Sequence, residues 1–403
     1  MLLLNIRHLY CALEIRKFSN LSEAARQVHL TQSALTQSIK KLEDKIGFRL
    51  FSRGTTGMYV SEAGDVFLKR FERAFALLEQ YASGQFTTDR TARITFLRGI
   101  NSRQLSAIIK MVELQNYTHA ARVLDIAQPT LHRTMRDLEA LCSVTLFNRS
   151  PSGAEPTWRA RRLARVAGLY FAELQQGFDE VKALDGKHFG TLKIGSLPLA
   201  LSELVPATVL KVMDAVPQSD VSIVDGPYEE QLHALLHGDI DVLIGALRPP
   251  DMEELLEQVP LFEDRLSLVA RANHPILHAD SMESGDWQQV QWIVPKKETP
   301  ARLIFDEFIV SRKLPVPHDV IECNSLTAIR GLLMKSDRVA MLPARQVEVD
   351  VRAGLLAICD MKLKDPPRAI GYTIRKDWIP TKLQNMFISV LHAECAAEST
   401  ISV

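Results

Sequence analysis

Gln32, Ser33, Thr36, Gln37 and Lys40 share one face of a short stretch whose opposite face, Leu35, Ile39, Leu42 and Ile46, is apolar. These polar side chains suit the base edges and backbone of duplex DNA. Glutamine can bond adenine N6 and N7 bidentately, and Ser or Thr can serve several bases or phosphates. Lys40, Lys41 and Arg53 add charge of the kind that holds phosphate. Taken alone, the same face also fits an ordinary solvated surface. A second set follows: Gln128, Thr130, His132, Arg133 and Arg136 lie off a stripe of Leu131, Met135 and Leu138, with Arg149 close behind. Arg133 and Arg136 favour phosphate or guanine.

No comparable set points to catalysis. There is no G-x-S-x-G elbow, no GxxxxGK[ST] loop, no H-E-x-x-H and no glycine-rich dinucleotide fingerprint. His233 and His237 stand four apart, but no third ligand joins them. We therefore expect no enzyme activity, no metal and no cofactor. The five cysteines are far apart and odd in number, which fits reduced, mostly buried thiols. No apolar run approaches the ~18–20 residues of a membrane span, and the N-terminus lacks the features of a signal peptide. A cytoplasmic location without membrane attachment is the expectation. The net charge of zero hides a split: residues 1–189 hold 27 Lys and Arg against 18 Asp and Glu, and residues 190–403 hold 21 against 30. A basic half beside an acidic half suggests that the first meets nucleic acid.

The elements that must position the first polar face are short helices. One is expected over about Ile6–Arg16, and a second, Ser22–Val28, after the turn-like Phe18-Ser19-Asn20. A third runs to about Ile46, with Thr31 as N-cap and Gly47 as stop. Two short helices joined by a tight turn form the helix-turn-helix pattern, whose second helix can enter the major groove. The pattern then recurs. Shifting by 96 positions places Ala24-Ala25-Arg26 on Ala120-Ala121-Arg122, Leu42-Glu43 on Leu138-Glu139, and Leu50-Phe51-x-Arg53 on Leu146-Phe147-x-Arg149. Amphipathic stretches follow each copy, Glu62–Ala82 and Arg161–Leu184. From Thr191 onward, short strands (Thr191–Gly195, Asp220–Val224, Asp241–Ala246, Leu266–Ala270, Trp292–Val294) alternate with helices such as Leu201–Asp214 and Tyr228–His237. That alternation predicts mainly parallel α/β sheets with ligand crevices at strand ends. Asp239 and Asp241 read as structural, and Trp287 and Trp292 as core.

The run Phe18–Gly64, with its Ala-Ala pair, Gln-Ser-Ala-Leu recognition helix, Leu-Phe-x-Arg turn and Ser-Glu-Ala-Gly helix start, closely resembles the winged helix-turn-helix of LysR-type transcriptional regulators. Tyr117–Thr157 is similar but diverged, with Ser143 for Gly47 and Thr157-Trp158-Arg159-Ala160 for Ser61-Glu62-Ala63-Gly64. Most members of that family carry one such domain, so the tandem copy is a departure. The resemblance implies Thr31, Gln32, Thr36, Gln37, Lys40 and Arg53 as DNA contacts. It also implies a linker helix that pairs antiparallel with a partner subunit. Residues from about 190 resemble the family's effector domain, a two-lobed fold like periplasmic solute-binding proteins. That resemblance nominates Ser196, Leu197 and Pro198 for one wall of a cleft. Lys296, Thr299, Arg302, Asn324 and Ser325, at helix starts, are nominated for the other. The Pro295–Arg302 segment and the Trp378–Leu391 tail look like a subgroup regulating sugar uptake and aromatic-acid breakdown.

The expected fold is therefore multidomain: two α-rich winged helix-turn-helix domains and a two-lobed, periplasmic-binding-protein-like α/β domain. The boundaries drawn are 1–62, a helical linker 63–95, 96–158, a linker or dimerisation helix 159–187, and 188–403. Within the last, lobe one is 190–262 with 360–395, and lobe two is 263–359. The expected function is sequence-specific transcriptional regulation tuned by a metabolite between the lobes. Copy one reads the main site and copy two adds less specific grip. Expected partners are double-stranded DNA, a small effector of the sugar or aromatic or organic acid class, further copies of the chain as homodimer or homotetramer, and RNA polymerase. The alternative is a cytosolic α/β enzyme or solute-binding domain fused to a DNA-binding module.

Overall fold

The structure, a computed structural model, describes residues 3–401 apart from 19, 55–56, 151–152, 185, 187–189, 249–253, 279–286, 288–289, 298, 315 and 360–366. Side chains of 53–54, 57 and 397–401 are also outside the description. Ser19, the boundary drawn at 187–188, the lobe crossing at 360 and the side chain of Arg53 therefore lie outside the described residues.

The first half is helical. It opens with α1 (Ile6–Phe18), α2 (Leu21–Gln27) and α3 (Gln32–Ile46), then a hairpin of β1 (Phe51–Gly54) and β2 (Gly57–Val60), then long α4 (Glu62–Gln85). After α5 (Arg90–Gly99) the series repeats as α6 (Ser102–Leu114), α7 (Tyr117–Val123), α8 (Gln128–Cys142), β3 (Phe147–Ser150), β4 (Gly153–Pro156) and α9 (Trp158–Ala183). Each element of the second series begins 96 positions after its counterpart. The helices form where apolar residues recur on one face: Leu35, Ile39, Leu42 and Ile46 of α3 are buried, as are Leu131, Met135 and Leu138 of α8. Thr31 caps α3, its Oγ1 accepting from the Ala34 N–H at 3.2 Å, and Gly47 ends it at φ +84°. Ala127 offers α8 no side-chain cap, and Ser143 takes the same left-handed turn at φ +55°. In both copies a glutamate ties the third helix to the hairpin. Glu43 Oε1 accepts the N–H groups of Leu50 and Phe51 at 2.8 and 3.1 Å; Glu139 Oε1 accepts those of Leu146 and Phe147 at 2.7 and 3.3 Å.

The long helices α4 and α9 pack antiparallel on each other within the chain. They share more contact than any other pair of elements among the described residues. Phe67 meets Phe178 at 4.9 Å and Phe71 meets Tyr170 at 6.4 Å between ring centroids. Arg70, 4% exposed at its side chain, donates to Glu173, Gln176 and Glu180 of α9. The cause is the burial of two amphipathic faces that the chain itself brings together.

The C-terminal half holds two five-stranded sheets. In chain order come β5 (Thr191–Ser196), α10 (Pro198–Leu201), α11 (Leu204–Ala215), β6 (Asp220–Asp225), α12 (Tyr228–His237), β7 (Val242–Ala246) and β8 (Leu256–Asp264). Next are β9 (Leu266–Arg271), β10 (Gln291–Val294), α13 (Pro300–Ser311), β11 (Val320–Glu322), α14 (Leu326–Lys335), β12 (Arg338–Pro343), α15 (Glu348–Arg352), β13 (Leu356–Cys359), β14 (Arg368–Arg375) and α16 (Lys382–Ile401). One sheet has the order β6-β5-β7-β14-β8 and the other β11-β10-β12-β9-β13. The expectation of mainly parallel sheets is corrected. β5 and β10 pair parallel with both neighbours, but β14 and β9 pair antiparallel with both of theirs. Both sheets are mixed, because β14 returns to the first sheet after the chain has built the second. Trp287 and Trp292 stack at 6.0 Å in the core of the second sheet, beside Phe308. No helix among the described residues is long and apolar enough to cross a membrane.

Candidate functional site

On α3, the polar residues named from the sequence come together at the surface. Gln32, Ser33, Thr36, Gln37 and Lys40, with Leu21 and Ala34, line an open depression of about 690 Å³. Gln32 Nε2 donates to Ser22 Oγ on α2 at 2.7 Å, which orients the glutamine from the preceding helix. Thr36 Oγ1 donates back to the Gln32 carbonyl at 2.9 Å. Thr31 is committed to the cap and lies 3.0 Å from Ser33 Oγ. Lys41 is exposed but does not line the depression, and Arg53 stands on β1. The arrangement is a rigid helix, anchored on one side by the buried stripe and presenting donors, acceptors and a cation on the other.

On α8, Gln128, Thr130, His132, Arg133 and Arg136 are all exposed, as is Arg149 on β3. This face differs in kind. His132 stacks on Tyr117 at 3.8 Å, and Arg133 reaches Asp137 only at 3.9 Å with its side chain 80% exposed. Two cationic side chains stand where α3 carries Gln37 and Lys40.

In the C-terminal half, Lys296, Thr299, Asn324 and Ser325 gather where the parallel strands β10 and β11 end. The Lys296 N–H donates to Asn324 Oδ1 at 2.8 Å. Thr299 and Ser325 cap α13 and α14. Arg302 is held by Asp306 at 2.8 Å, by the Pro295 carbonyl at 3.2 Å and by Glu322 at 3.6 Å, so its guanidinium is already matched by carboxylates. Ser196, Leu197 and Pro198 lie on the other sheet, at the end of β5 and the start of α10. Ser196 is buried, its Oγ donating to the Leu197 carbonyl at 3.2 Å. Bridges join the two sheets nearby: Ser202 to the Gln346 carbonyl at 3.0 Å and Arg352 to Glu203 at 2.8 Å.

Sequence reading missed a cavity of about 610 Å³ between α6, α9 and α12, lined among others by Lys110, Phe171, Lys193, His233, His237 and Asp239. His237 stacks on His233 at 3.8 Å, and burial holds its pKa down at about 4. Burial also raises the Asp239 carboxyl. The only signal in the sequence was the His233–His237 spacing. Asp241 is structural: its Oδ2 accepts the Lys193 N–H at 2.9 Å.

A family model described as the bacterial regulatory helix-turn-helix protein, LysR family, matches residues 6–65 and again 102–161. The LysR substrate binding domain matches 185–396. The chain is 29% identical over 367 residues to the HTH-type transcriptional regulator GalR of Pseudomonas putida, covering 91% of each chain. Among solved structures, a full-length OxyR variant from Pseudomonas aeruginosa superposes with TM-score 0.52 at 20% identity, covering 73% of this chain and 94% of that one. Full-length CbnR complexed with its target DNA gives 0.50 at 22% identity, covering 73% and 99%. With more than half its length matched by the substrate binding domain and the helix-turn-helix model matched besides, the chain belongs to the LysR family and is a DNA-binding transcriptional regulator, not an enzyme.

Proposed function

We propose that the chain holds double-stranded DNA through two winged helix-turn-helix domains, 1–62 and 96–158, each followed by a long helix within 63–95 and 159–187. In the first, Gln32, Ser33, Thr36 and Gln37 meet base edges, while Thr31, Lys40, Lys41 and Arg53 meet the backbone. In the second, Gln128, Thr130, His132, Arg133, Arg136 and Arg149 supply a mostly electrostatic, less specific grip. The observation that carries this reading is the single exposed face of α3, on which glutamine, hydroxyl and lysine side chains converge over a buried stripe. Residues 188–403 act as the effector-binding unit, with lobes 190–262 plus 360–395 and 263–359, like a periplasmic binding protein. A sugar or an aromatic or organic acid sits between Ser196, Leu197 and Pro198 on one side and Lys296, Thr299, Arg302, Asn324 and Ser325 on the other. The caps of α13 and α14 support this wall, because helix N-termini favour anionic groups. The regulator works in the cytoplasm as a homodimer or homotetramer and acts on RNA polymerase.

The test is selection of DNA sites by the full chain, repeated with a panel of sugars and aromatic and organic acids. Gln37→Ala should cost about 1–3 kcal/mol and relax preference at one base position. Arg53→Ala should weaken all sites alike and flatten the salt slope by about one phosphate contact. A matching metabolite should shift DNA affinity in the parent but not in a Ser196→Ala, Thr299→Ala variant. Unchanged binding in both DNA-face variants, or an unaltered metabolite response in the cleft variant, would refute the corresponding half of the reading.

A further inference from the structure

The pairing of α4 with α9 has the geometry of a subunit interface folded into one chain. Because the second series repeats the first 96 positions later, an isologous contact would pair each residue with one whose mate makes the reciprocal contact. The two ends of the seam correspond in this way segment by segment. Phe178, near the end of α9, packs on Phe48 of the first series at 5.9 Å. At the other end of the seam, Gln85 at the end of α4 donates to the Cys142 carbonyl of the second series at 3.3 Å. Midway along the seam, Phe71, Phe75, Tyr170 and Phe171 cluster, and Phe75 and Phe171 are themselves 96 apart. Each long helix thus ends against the other series, as it would in a two-fold pair.

The charges show that this pair is heterotypic. Arg70 faces Glu173, Gln176 and Glu180. In a pair of two α4 helices, the positions equivalent to those three are Leu77, Gln80 and Gly84, so a buried guanidinium would meet no carboxylate. In a pair of two α9 helices, the acids would face Val166, the equivalent of Arg70. Burying an unmatched charge is strongly unfavourable, so either homotypic seam is selected against. A second, smaller asymmetry agrees: the Arg162 guanidinium lies over the Tyr81 ring at 5.6 Å and against Gly84, where a side chain would collide with it.

We propose that one chain is a complete two-headed DNA reader, α3 and α8 occupying the two unlike half-sites of one asymmetric operator without help from a second subunit. The proposal rests on the DNA-binding reading above. Antiparallel helices of 24 and 26 residues place the two series at opposite ends of a rod. At 1.5 Å per residue its length is about 36–39 Å, near one turn of B-DNA.

The test uses the full chain on its selected operator, read by hydroxyl-radical footprinting and native mass spectrometry. Gln37→Ala with Lys40→Ala should erase protection of one half-site and leave the other. Arg133→Ala with Arg136→Ala should erase the complementary one. The mass should give one chain per pair of half-sites, a ratio kept even if C-terminal halves join chains together. Loss of both half-sites in the α3 variant with full protection in the α8 variant would overturn the proposal, as would two chains per pair of half-sites. The second result leaves the DNA-binding reading standing, and the first leaves its α3 half standing while removing the α8 contact. Absence of any footprint from the parent chain would remove that reading and this proposal with it.

Discussion

The two helix-turn-helix series share a scaffold and differ over much of the exposed face of their third helix. Both keep the buried stripe of the third helix, the buried alanine pairs Ala24-Ala25 and Ala120-Ala121, and the glutamate that holds the hairpin. They part at the cap, where Thr31 is replaced by Ala127, and at the stop, where Gly47 is replaced by Ser143. They part again at the close approach of the long helix. A Cβ on Gly64 would overlap the Leu50 carbonyl, yet the second series has Ala160 there. Packing and buried hydrogen bonds are thus common to both copies, while the cap and stop of the third helix and part of its exposed face differ. A further difference lies away from the third helices: α6 and α9 of the second series border the cavity shared with α12, whereas the first series lines no part of it.

The largest effect should come from the shared device. Glu43, 7% exposed, satisfies two backbone amides and pairs with Arg49 at 2.7 Å. Glu43→Ala should cost about 1–3 kcal/mol for each stranded amide and detach the hairpin. Glu139→Ala should cost less, since Glu139 is only half-buried. Chemical denaturation of both variants checks the ranking; equal losses would mean that the two hairpins are held alike. A smaller effect is expected at the helix stops. Ser143→Gly should stabilise the chain by about 1 kcal/mol, because a left-handed residue other than glycine carries strain of that order. Gly47→Ser should do the reverse. A stabilising Gly47→Ser would show that the stop is not what separates the copies.

The smallest effect concerns pH at the cavity beside the second series. His237 has its folded pKa lowered to about 4 by burial, against 6.5 when unfolded. As pH falls through that window, the unfolded chain takes up the proton first, so stability drops between about 6.5 and 4 and is untouched above it. His237→Gln should therefore narrow the difference in melting temperature between pH 7 and pH 4.5. An unchanged difference would remove His237 as a source of acid sensitivity.

Much of the first half was legible because its signals are local. The third helix ends at Ile46 as its apolar spacing predicts, Thr31 caps it, and the 96-residue offset holds for each paired element of the two series. Periodicity alone puts Gln32, Ser33, Thr36, Gln37 and Lys40 on one side, and they share one depression. The C-terminal half was legible only in part. The strands named from their apolar runs exist, but β8, β11, β12, β13 and β14 were not among them. Several are short, and β14 finds its partners more than a hundred residues back, which no local pattern encodes.

What the sequence determined by itself is periodicity: which faces are apolar, where helices begin and stop, and that one unit was written twice. Those properties depend on residues within a few positions of each other. Only the tertiary structure decided what the long helices do with their apolar faces. From sequence, Glu62–Ala82 and Arg161–Leu184 were two amphipathic helices, one or both free to meet another subunit. In the fold, Arg70 finds Glu180, 110 positions away, and the two faces close on each other. The physical reason is that an amphipathic face specifies that it must be covered, whereas the covering surface is chosen by complementarity of shape and charge. Such complementarity exists only once the chain has brought distant segments together.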